Sequence, residues 1–155
     1  MRTFDSTDRT LLMALQRDAR QSMAELAEQV ALSQSPCWRR VRQLEESGVI
    51  EGYQARLNRK QLGYGVTGFI HLQMANHTAE ITAAFEREVV AVPEVLACHN
   101  LSGQYDYLIE AVATDLEAFS TLVRSRIRSL PGVKEIATSF SLKEVKGAGT
   151  LPVGA

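Results

Sequence analysis

The second half of the chain contains two consecutive copies of a strand–helix–strand pattern. Apolar alternation predicts strands at 66–75 and 95–101 around a helix from Thr78 to about Val90; the order recurs as a strand at 105–112, a helix from Asp115 to about Ser129 and a strand at 133–142. Each helix ends in a similar phrase, Val-Pro-Glu-Val at 92–95 and Leu-Pro-Gly-Val at 130–133. The doubled unit predicts a βαββαβ, ferredoxin-like domain, in which an antiparallel four-stranded sheet carries both helices on one face.

The first of these strands carries apolar groups on both of its sides. Because side chains alternate along a strand, one side holds Val66, Gly68, Ile70, Leu72 and Met74, and the other holds Thr67, Phe69, His71 and Gln73. The two helices cover only one face of the sheet, and a bare apolar face usually contacts a partner. We therefore expect self-association through the open face of the sheet or through strand addition at its edge.

The first 60 residues predict three short helices. The first runs from Ser6 to about Ala19 with Asp5 or Ser6 as its N-cap, the second follows a capping box of Ser22 and Glu25 and stops near Ala31, and the third follows Ser33 and ends at Gly48. The short connection between the second and third helices is typical of a helix-turn-helix, and 49–57 predicts a short β extension. A polar break at 58–63 then separates two predicted domains, 1–60 and 61–155. The tail from residue 146 is either a frayed end or a short docking arm.

The predicted third helix has an apolar side and a polar side. At about 100° per residue, Cys37, Val41 and Leu44 share the core side. The opposite side, its flank and the helix start carry the candidate DNA contacts, which are Ser33, Gln34, Ser35, Trp38, Arg39, Arg40 and Arg42. A helix with this face fits the major groove of double-stranded DNA, where arginine forks to guanine and Ser or Gln contacts base edges or phosphate. Arg40, on the flank, is better placed for phosphate.

Two features of this helix have a plainer alternative. The arginines are also typical of a solvated charged face, paired with Glu45 and Glu46 one turn further on. Trp38 either packs at the edge of the small helical core or lies flat on the sugar-phosphate backbone, and the usual burial of large aromatic side chains favours the core edge. The helix-turn-helix context favours DNA binding over the solvated face.

Charge and composition narrow the function classes. The net charge is −1; residues 1–60 hold ten basic and eight acidic side chains, a net of +2, and residues 61–155 hold seven and ten, a net of −3. Cys37 and Cys98 lie far apart, and the three histidines lack metal-ligand spacing, so we expect no metal site. The sequence has no GxSxG, Walker or HExxH motif, so we expect no cofactor and no enzymatic site. The chain has no apolar run long enough for a membrane span and no apolar signal core, which predicts a cytoplasmic protein without a membrane partner.

The phrase Ser-Gly-Gln-Tyr-Asp-Tyr at 102–107 joins the two copies of the repeated unit. Gly103 allows a tight turn, and Asp106 interrupts an otherwise apolar run. Its carboxylate is either a hydrogen-bonded structural group or a ligand contact, and the residues alone favour the structural role, because buried polar groups mostly satisfy backbone donors. The hydroxyls of Thr138 and Ser139 on the last strand are ambiguous by themselves.

Four phrases taken together resemble the Lrp/AsnC family of bacterial and archaeal transcription regulators. They lie at 8–20, 25–50, 102–108 and 130–139. The resemblance implies an α+β protein with an N-terminal winged helix-turn-helix and a C-terminal ligand-sensing domain similar to ACT modules. It also implies dimers that often assemble into octamers. The Pro-Cys-Trp motif at 36–38 resembles that of one subgroup of the family. Ala31 stands where many relatives carry glycine, which predicts mild strain if the turn requires a positive φ.

The same resemblance implies an amino-acid effector bound between neighbouring sensor domains. The matching positions are Ser102, Gly103, Tyr105, Asp106, Thr138 and Ser139, and for Asp106 this outweighs the structural preference drawn from the residues alone. The resulting expectation is a sequence-specific, homo-oligomeric regulator of amino-acid metabolism that responds to an amino acid or a related metabolite. Two alternatives are an architectural DNA-binding protein without an effector and a small enzyme built on the doubled α/β unit.

Overall fold

A computed structural model describes residues 3–147 and 149–153 of the chain. They form two compact units. One consists of the described residues within 1–56 and 145–155, and the other of residues 57–144. Within the described residues, no helix is both long enough and apolar enough to cross a membrane.

Three helices make up most of the first unit: α1 (Ser6–Arg17), α2 (Met23–Gln29) and α3 (Gln34–Glu46). The N-cap of α1 is Asp5, whose carboxylate accepts a hydrogen bond from the Asp8 N–H at 2.8 Å. The predicted capping box at the start of α2 is confirmed. The helices pack around a core of Leu11, Leu12, Ala14, Leu26, Ala27, Cys37, Val41 and Leu44. Each helix ends two residues before its predicted end.

The connection between α2 and α3 contains a residue in the left-handed region. Ala31 has a φ of 50°, the only positive value among the described residues other than glycines. The turn thus has the positive φ that was the condition for mild strain at Ala31. A Cβ is unfavourable there by about 1–2 kcal/mol, because it approaches the following carbonyl oxygen.

The predicted β extension at 49–57 is wrong for the single chain. Residues 51–58 have no regular secondary structure, and no described segment pairs with them. The alternation of side chains is present, but a strand also requires a neighbouring backbone that completes its hydrogen bonds.

The C-terminal tail belongs to the first unit, whereas the sequence prediction placed it in the second domain. Val153 packs against the helical core. The side chain of Gln16 donates to the Leu151 carbonyl at 3.1 Å and accepts from the Leu151 N–H at 2.6 Å. These contacts favour the docking arm over the frayed end.

The second unit has the predicted βαββαβ order. Its elements are β1 (Val66–Met74), α4 (Ala79–Val90), β2 (Val95–Asn100), β3 (Tyr107–Ala113), α5 (Leu116–Leu122) and β4 (Val133–Phe140). The strands form one antiparallel sheet in the order β2-β3-β1-β4. The helix predicted from Asp115 to about Ser129 is not a regular α-helix throughout. After α5 the chain forms a π-helical turn at Val123–Ile127.

Both helices pack on one face of this sheet. The buried core of the second unit consists of Ile70, Leu72, Met74, Phe85, Val89, Val92, Tyr107, Ile109, Ala111, Ala113, Phe119, Leu122, Ile127 and Leu130. Gly68 lets the Phe119 ring pack directly against the backbone of β1, because a Cβ built at this position would lie 2.3 Å from the ring. The partly buried Phe69, His71 and Leu108 lie on the opposite face, as predicted for the open side.

Candidate nucleic-acid interface and ligand site

Helix α3 presents a polar face on the side opposite its core residues. Ser35, Trp38, Arg39 and Arg42 are all exposed and follow helical spacing, whereas Cys37, Val41 and Leu44 are buried. Packing of the buried stripe against α1 and α2 turns the four exposed side chains outward together. We call these four residues the reading face. Ser33 and Gln34 are exposed at the start of the helix, and the Ser33 side chain makes no capping hydrogen bond.

Trp38 does not pack at the edge of the helical core, so the preference drawn from the sequence is wrong. Its exposed fraction is 52%, and it is absent from the residues that pack with the core. The guanidinium carbon of Arg42 lies 6.0 Å from the centre of its ring, at the limit of a cation–π contact. The indole therefore forms part of the reading face.

The two arginines of the reading face differ in their partners. The Arg42 Nε donates to Glu46 at 2.8 Å, which raises the pKa of the guanidinium further. Arg39 makes no hydrogen bond or ion pair with the described residues. Glu45 instead accepts from the Tyr53 hydroxyl at 2.8 Å, and burial together with this carboxylate raises the pKa of Tyr53 to about 12. The alternative of a solvated, paired face thus applies to Arg42 and not to Arg39.

Arg40 lies away from the reading face, between two carboxylates of α1 and its cap. Its Nη1 donates to Asp5 at 2.7 Å and to Asp8 at 2.8 Å. Asp8 is only 7% exposed. The Asp8 N–H, and secondarily Arg40, lower the pKa of Asp5. This ion-pair network was not anticipated from the sequence, because its partners lie 35 and 32 residues apart.

Asp106 is held by the end of β1. One carboxylate oxygen accepts from the Met74 N–H at 2.7 Å, and the other lies 2.8 Å from the Nε2 of His77. The Met74 N–H, followed by His77, lowers the pKa of this carboxyl. The Asp106 N–H donates to the Leu72 carbonyl at 2.8 Å. This geometry is that of the structural role, in which the loop is tied to the sheet.

The rest of the 102–106 loop is more open. Ser102 and Gly103 are exposed, and Gly103 has a φ of 140°, which favours glycine. The Tyr105 ring lies 5.0 Å from the His71 ring, on the open face of the sheet. The side-chain amide of Gln73 donates to the Gln104 carbonyl at 2.8 Å, which ties the loop to β1. Sequence reasoning missed His77 and Gln73, because neither belongs to the loop phrase.

The other predicted ligand residues lie elsewhere on the sheet. On β4, Thr138 pairs with Ile70 and Ser139 with Phe69, whereas Asp106 contacts Met74. Four residues along a strand correspond to roughly 13 Å. Thr138 shares the helix-covered face with Ile70, and Ser139 shares the open face with Phe69. A single chain therefore does not bring the two groups of predicted residues together.

The cysteines and histidines show no clustering. Cys37 is buried and Cys98 is half-buried, and burial raises the pKa of both thiols. In the described parts of the chain, no group of three or more His, Cys, Asp or Glu side chains is arranged to hold a metal ion.

Comparison with known proteins agrees with this architecture. Residues 4–51 match the family model of a winged helix-turn-helix DNA-binding domain, and residues 67–151 match that of the Lrp/AsnC ligand binding domain. Together these domains define a DNA-binding transcription regulator with a ligand-binding domain. The chain belongs to the Lrp/AsnC family, as the resemblance of its sequence indicated.

The relatives match over almost their whole length. The DNA-binding transcriptional activator DecR of Escherichia coli is 34% identical, over 96% of this chain and 98% of its own. The Bkd operon transcriptional regulator of Pseudomonas aeruginosa is 37% identical, over 94% and 95%. Among solved structures, a transcriptional regulator of Neisseria meningitidis in complex with L-Met is 40% identical, covers 97% of both chains and has a TM-score of 0.92.

Proposed function

We propose that the reading face of α3, with Ser33 and Gln34 at the helix start, enters the major groove of operator DNA. The observation that carries this is the joint outward placement of Ser35, Trp38, Arg39 and Arg42 on the second helix of the helix-turn-helix. Arg39 is available for guanine without breaking an ion pair, whereas Arg42 must leave Glu46. The exposure of the Trp38 indole supports a contact with the sugar-phosphate backbone.

The test removes both arginines and measures DNA affinity. We expect Arg39→Ala with Arg42→Ala to weaken binding to a duplex selected from a random pool by the wild-type protein. The expected loss is at least about tenfold, as for loss of a bidentate guanine contact. Titrations at several salt concentrations should show a shallower slope if phosphate contacts are lost as well. Unchanged affinity and slope would exclude this face.

We further propose that an amino acid or a related metabolite binds between ligand-binding domains of neighbouring copies. The separation of Asp106 from Thr138 and Ser139 within one chain supports a site completed by a second copy. The loop with the exposed Ser102 and Gly103 and the half-buried Tyr105 carries backbone groups suited to an amino acid's charged ends, which supports a ligand site there. The L-Met bound to the Neisseria relative is consistent with such a ligand.

Calorimetry with the twenty amino acids tests this second proposal. We expect heat from at least one amino acid with the oligomeric protein. Asp106→Ala should lose that heat and the response of DNA binding to the ligand, while basal DNA binding is retained. Asp106→Asn keeps an oxygen that can accept from the Met74 N–H, so it separates the charge from the loop geometry. Absence of heat from a folded oligomer would contradict the proposal.

The open face of the sheet supports a homo-oligomer, a dimer that assembles further to an octamer. Phe69 and Leu108 lie on it and are only partly buried in the single chain. Sedimentation of the wild-type protein and of Phe69→Glu tests this, since a charge in an apolar contact should shift the mass toward the monomer. A monomeric wild-type protein would contradict it.

We also propose that the chain belongs to the subgroup with Pro-Cys-Trp at 36–38, that the protein is cytoplasmic and that it uses no cofactor. The exposure of Trp38 supports a role for the Pro-Cys-Trp motif in DNA contact. Mapping of binding sites across genomic fragments separates a regulator, with a few strong sites, from an architectural protein with uniform affinity.

A further inference from the structure

We propose that Arg40 is a positioning residue, which fixes the rotation of α3 about its axis so that the reading face meets the groove, and that it does not bind phosphate. The inference rests on the proposed role of the reading face. It assigns Arg40 a different task from the phosphate contact predicted from the sequence.

The position of Arg40 on α3 is the first reason. At about 100° per residue, its side chain leaves the helix about 100° from Arg39 and about 160° from Arg42. It points toward α1, where it meets Asp5 and Asp8. A groove that accommodates Arg42 therefore lies on the side of α3 away from Arg40.

The charge around Arg40 is the second reason. Two carboxylates, Asp5 and Asp8, share the same guanidinium nitrogen at 2.7 and 2.8 Å. Two negative charges and one positive charge leave a local net of −1, which repels a phosphate group rather than binding it. The carboxylates themselves are stabilised by the positive N-terminal end of α1.

The burial of Asp8 is the third reason. Asp8 is the one charged side chain among the buried residues of the described structure, at 7% exposure. A buried carboxylate is retained only when it is paired, and the pair is directional. Asp8 also donates its N–H to Asp5 at 2.8 Å, so the cap of α1 and the contact with α3 form one connected network.

A directional contact of this kind restricts the roll of α3. The core stripe of Cys37, Val41 and Leu44 makes apolar contacts, which tolerate small rotations because dispersion has no fixed direction. A roll of about 20° displaces atoms about 6 Å from the helix axis by about 2 Å. That displacement is enough to break a bidentate contact between arginine and guanine. We call the contact of Arg40 with Asp5 and Asp8 the clamp.

The experiment compares Arg40→Gln with Asp8→Ala in the full-length protein. Affinity is measured by fluorescence anisotropy for a duplex selected from a random pool by the wild-type protein, and for poly(dI-dC), at several salt concentrations. A positioning residue predicts that both variants lose about three- to thirtyfold affinity for the selected duplex. Binding to poly(dI-dC) and the salt slope should not change. The double variant should bind the selected duplex no less tightly than the single variant with the lower affinity, because the two substitutions remove the same contact.

A phosphate contact predicts opposite results. Arg40→Gln would then lower the magnitude of the salt slope by about 0.9, and Asp8→Ala would strengthen binding, since it frees the guanidinium. Either result overturns the proposal, as does unchanged affinity of both variants. Glu28→Gln on α2 is the control for the change in net charge alone, because it removes one negative charge from an exposed position outside the clamp.

Two further variants keep the outcome interpretable. Asp5→Asn retains a side chain that can cap α1 and removes only one partner of Arg40, so it should fold normally and show a smaller loss of specific affinity. Arg39→Ala, measured in the same series, tests the reading face separately. If it leaves affinity unchanged, the reading face fails, whereas the clamp is judged by Arg40→Gln and Asp8→Ala. Thermal unfolding followed by Trp38 fluorescence confirms that each variant is folded at the assay temperature.

Discussion

The carboxylate of Asp106 accepts a 2.7 Å hydrogen bond from the backbone N–H of Met74, which ties the loop before β3 to the end of β1. Together with His77 this bond holds the pKa of Asp106 below its ordinary value of 3.8. A group with a lowered pKa in the folded state contributes stability that is complete above the ordinary pKa and is lost as the pH falls through the folded value.

We therefore expect the ligand-binding domain to lose stability as the pH falls from the ordinary value of 3.8 through the lower folded-state pKa of Asp106. Asp106→Asn should flatten this dependence, because the uncharged amide does not titrate. Urea unfolding followed by circular dichroism over the acidic range measures it. Glu88→Gln, which removes an exposed acid of α4, should keep the wild-type profile; equal profiles for Asp106→Asn and the wild type would contradict the assigned role.

Gly68→Ala should destabilise the second unit. The added Cβ would lie 2.3 Å from the Phe119 ring, so the ring or the strand must shift. Overpacking of this kind costs about 1–3 kcal/mol in the free energy of unfolding. Phe119→Leu combined with Gly68→Ala should cost less than the sum of the single changes, because the smaller side chain leaves space. Additive losses in urea unfolding would show that the two positions do not interact.

Ala31→Gly should stabilise the helical unit slightly. Relief of the left-handed alanine gains about 1–2 kcal/mol, and the greater freedom of glycine in the unfolded chain returns about 0.5–1 kcal/mol. The net gain of roughly 0 to 1.5 kcal/mol is measured by fluorescence, since Trp38 is the only tryptophan and lies in this unit. A lowered midpoint would mean that the turn is not strained.

Glu46→Gln should strengthen DNA binding severalfold. Arg42 donates to Glu46 at 2.8 Å, and loss of the carboxylate frees the guanidinium and removes a negative charge one turn from the reading face. Anisotropy titration with the selected duplex measures the change. Glu28→Gln again serves as the control of equal charge, and an equal gain in both variants would reduce the effect to net charge alone.

Removal of the tail after residue 144 should lower the unfolding midpoint of the first unit. The truncation removes the two hydrogen bonds between Gln16 and Leu151 and the packing of Val153 on the helical core. Gln16→Ala removes only the bonds, so its effect on the Trp38 fluorescence transition should be smaller. Identical midpoints for the truncated and complete chains would show that the tail does not stabilise the unit.

Local interactions account for most of what could be predicted from the sequence. The capping box of Ser22 and Glu25 spans three residues, and the buried stripe of α3 repeats within single helical turns. The doubled strand–helix–strand pattern likewise depends on periodicity within short segments. The positions of most elements, the antiparallel four-stranded sheet and the outward side of α3 were therefore readable from the amino-acid sequence alone.

Contacts between distant residues were decided only by the tertiary structure. Arg40 meets Asp8 across 32 positions, Asp106 meets Met74 across 32, and Gln16 meets Leu151 across 135. No periodicity links such partners, because each pairing depends on how already formed elements pack. The same reason explains the β extension at 49–57. Its alternation was visible in the sequence, but a strand also requires a neighbouring backbone, and no segment within residues 3–147 and 149–153 pairs with it.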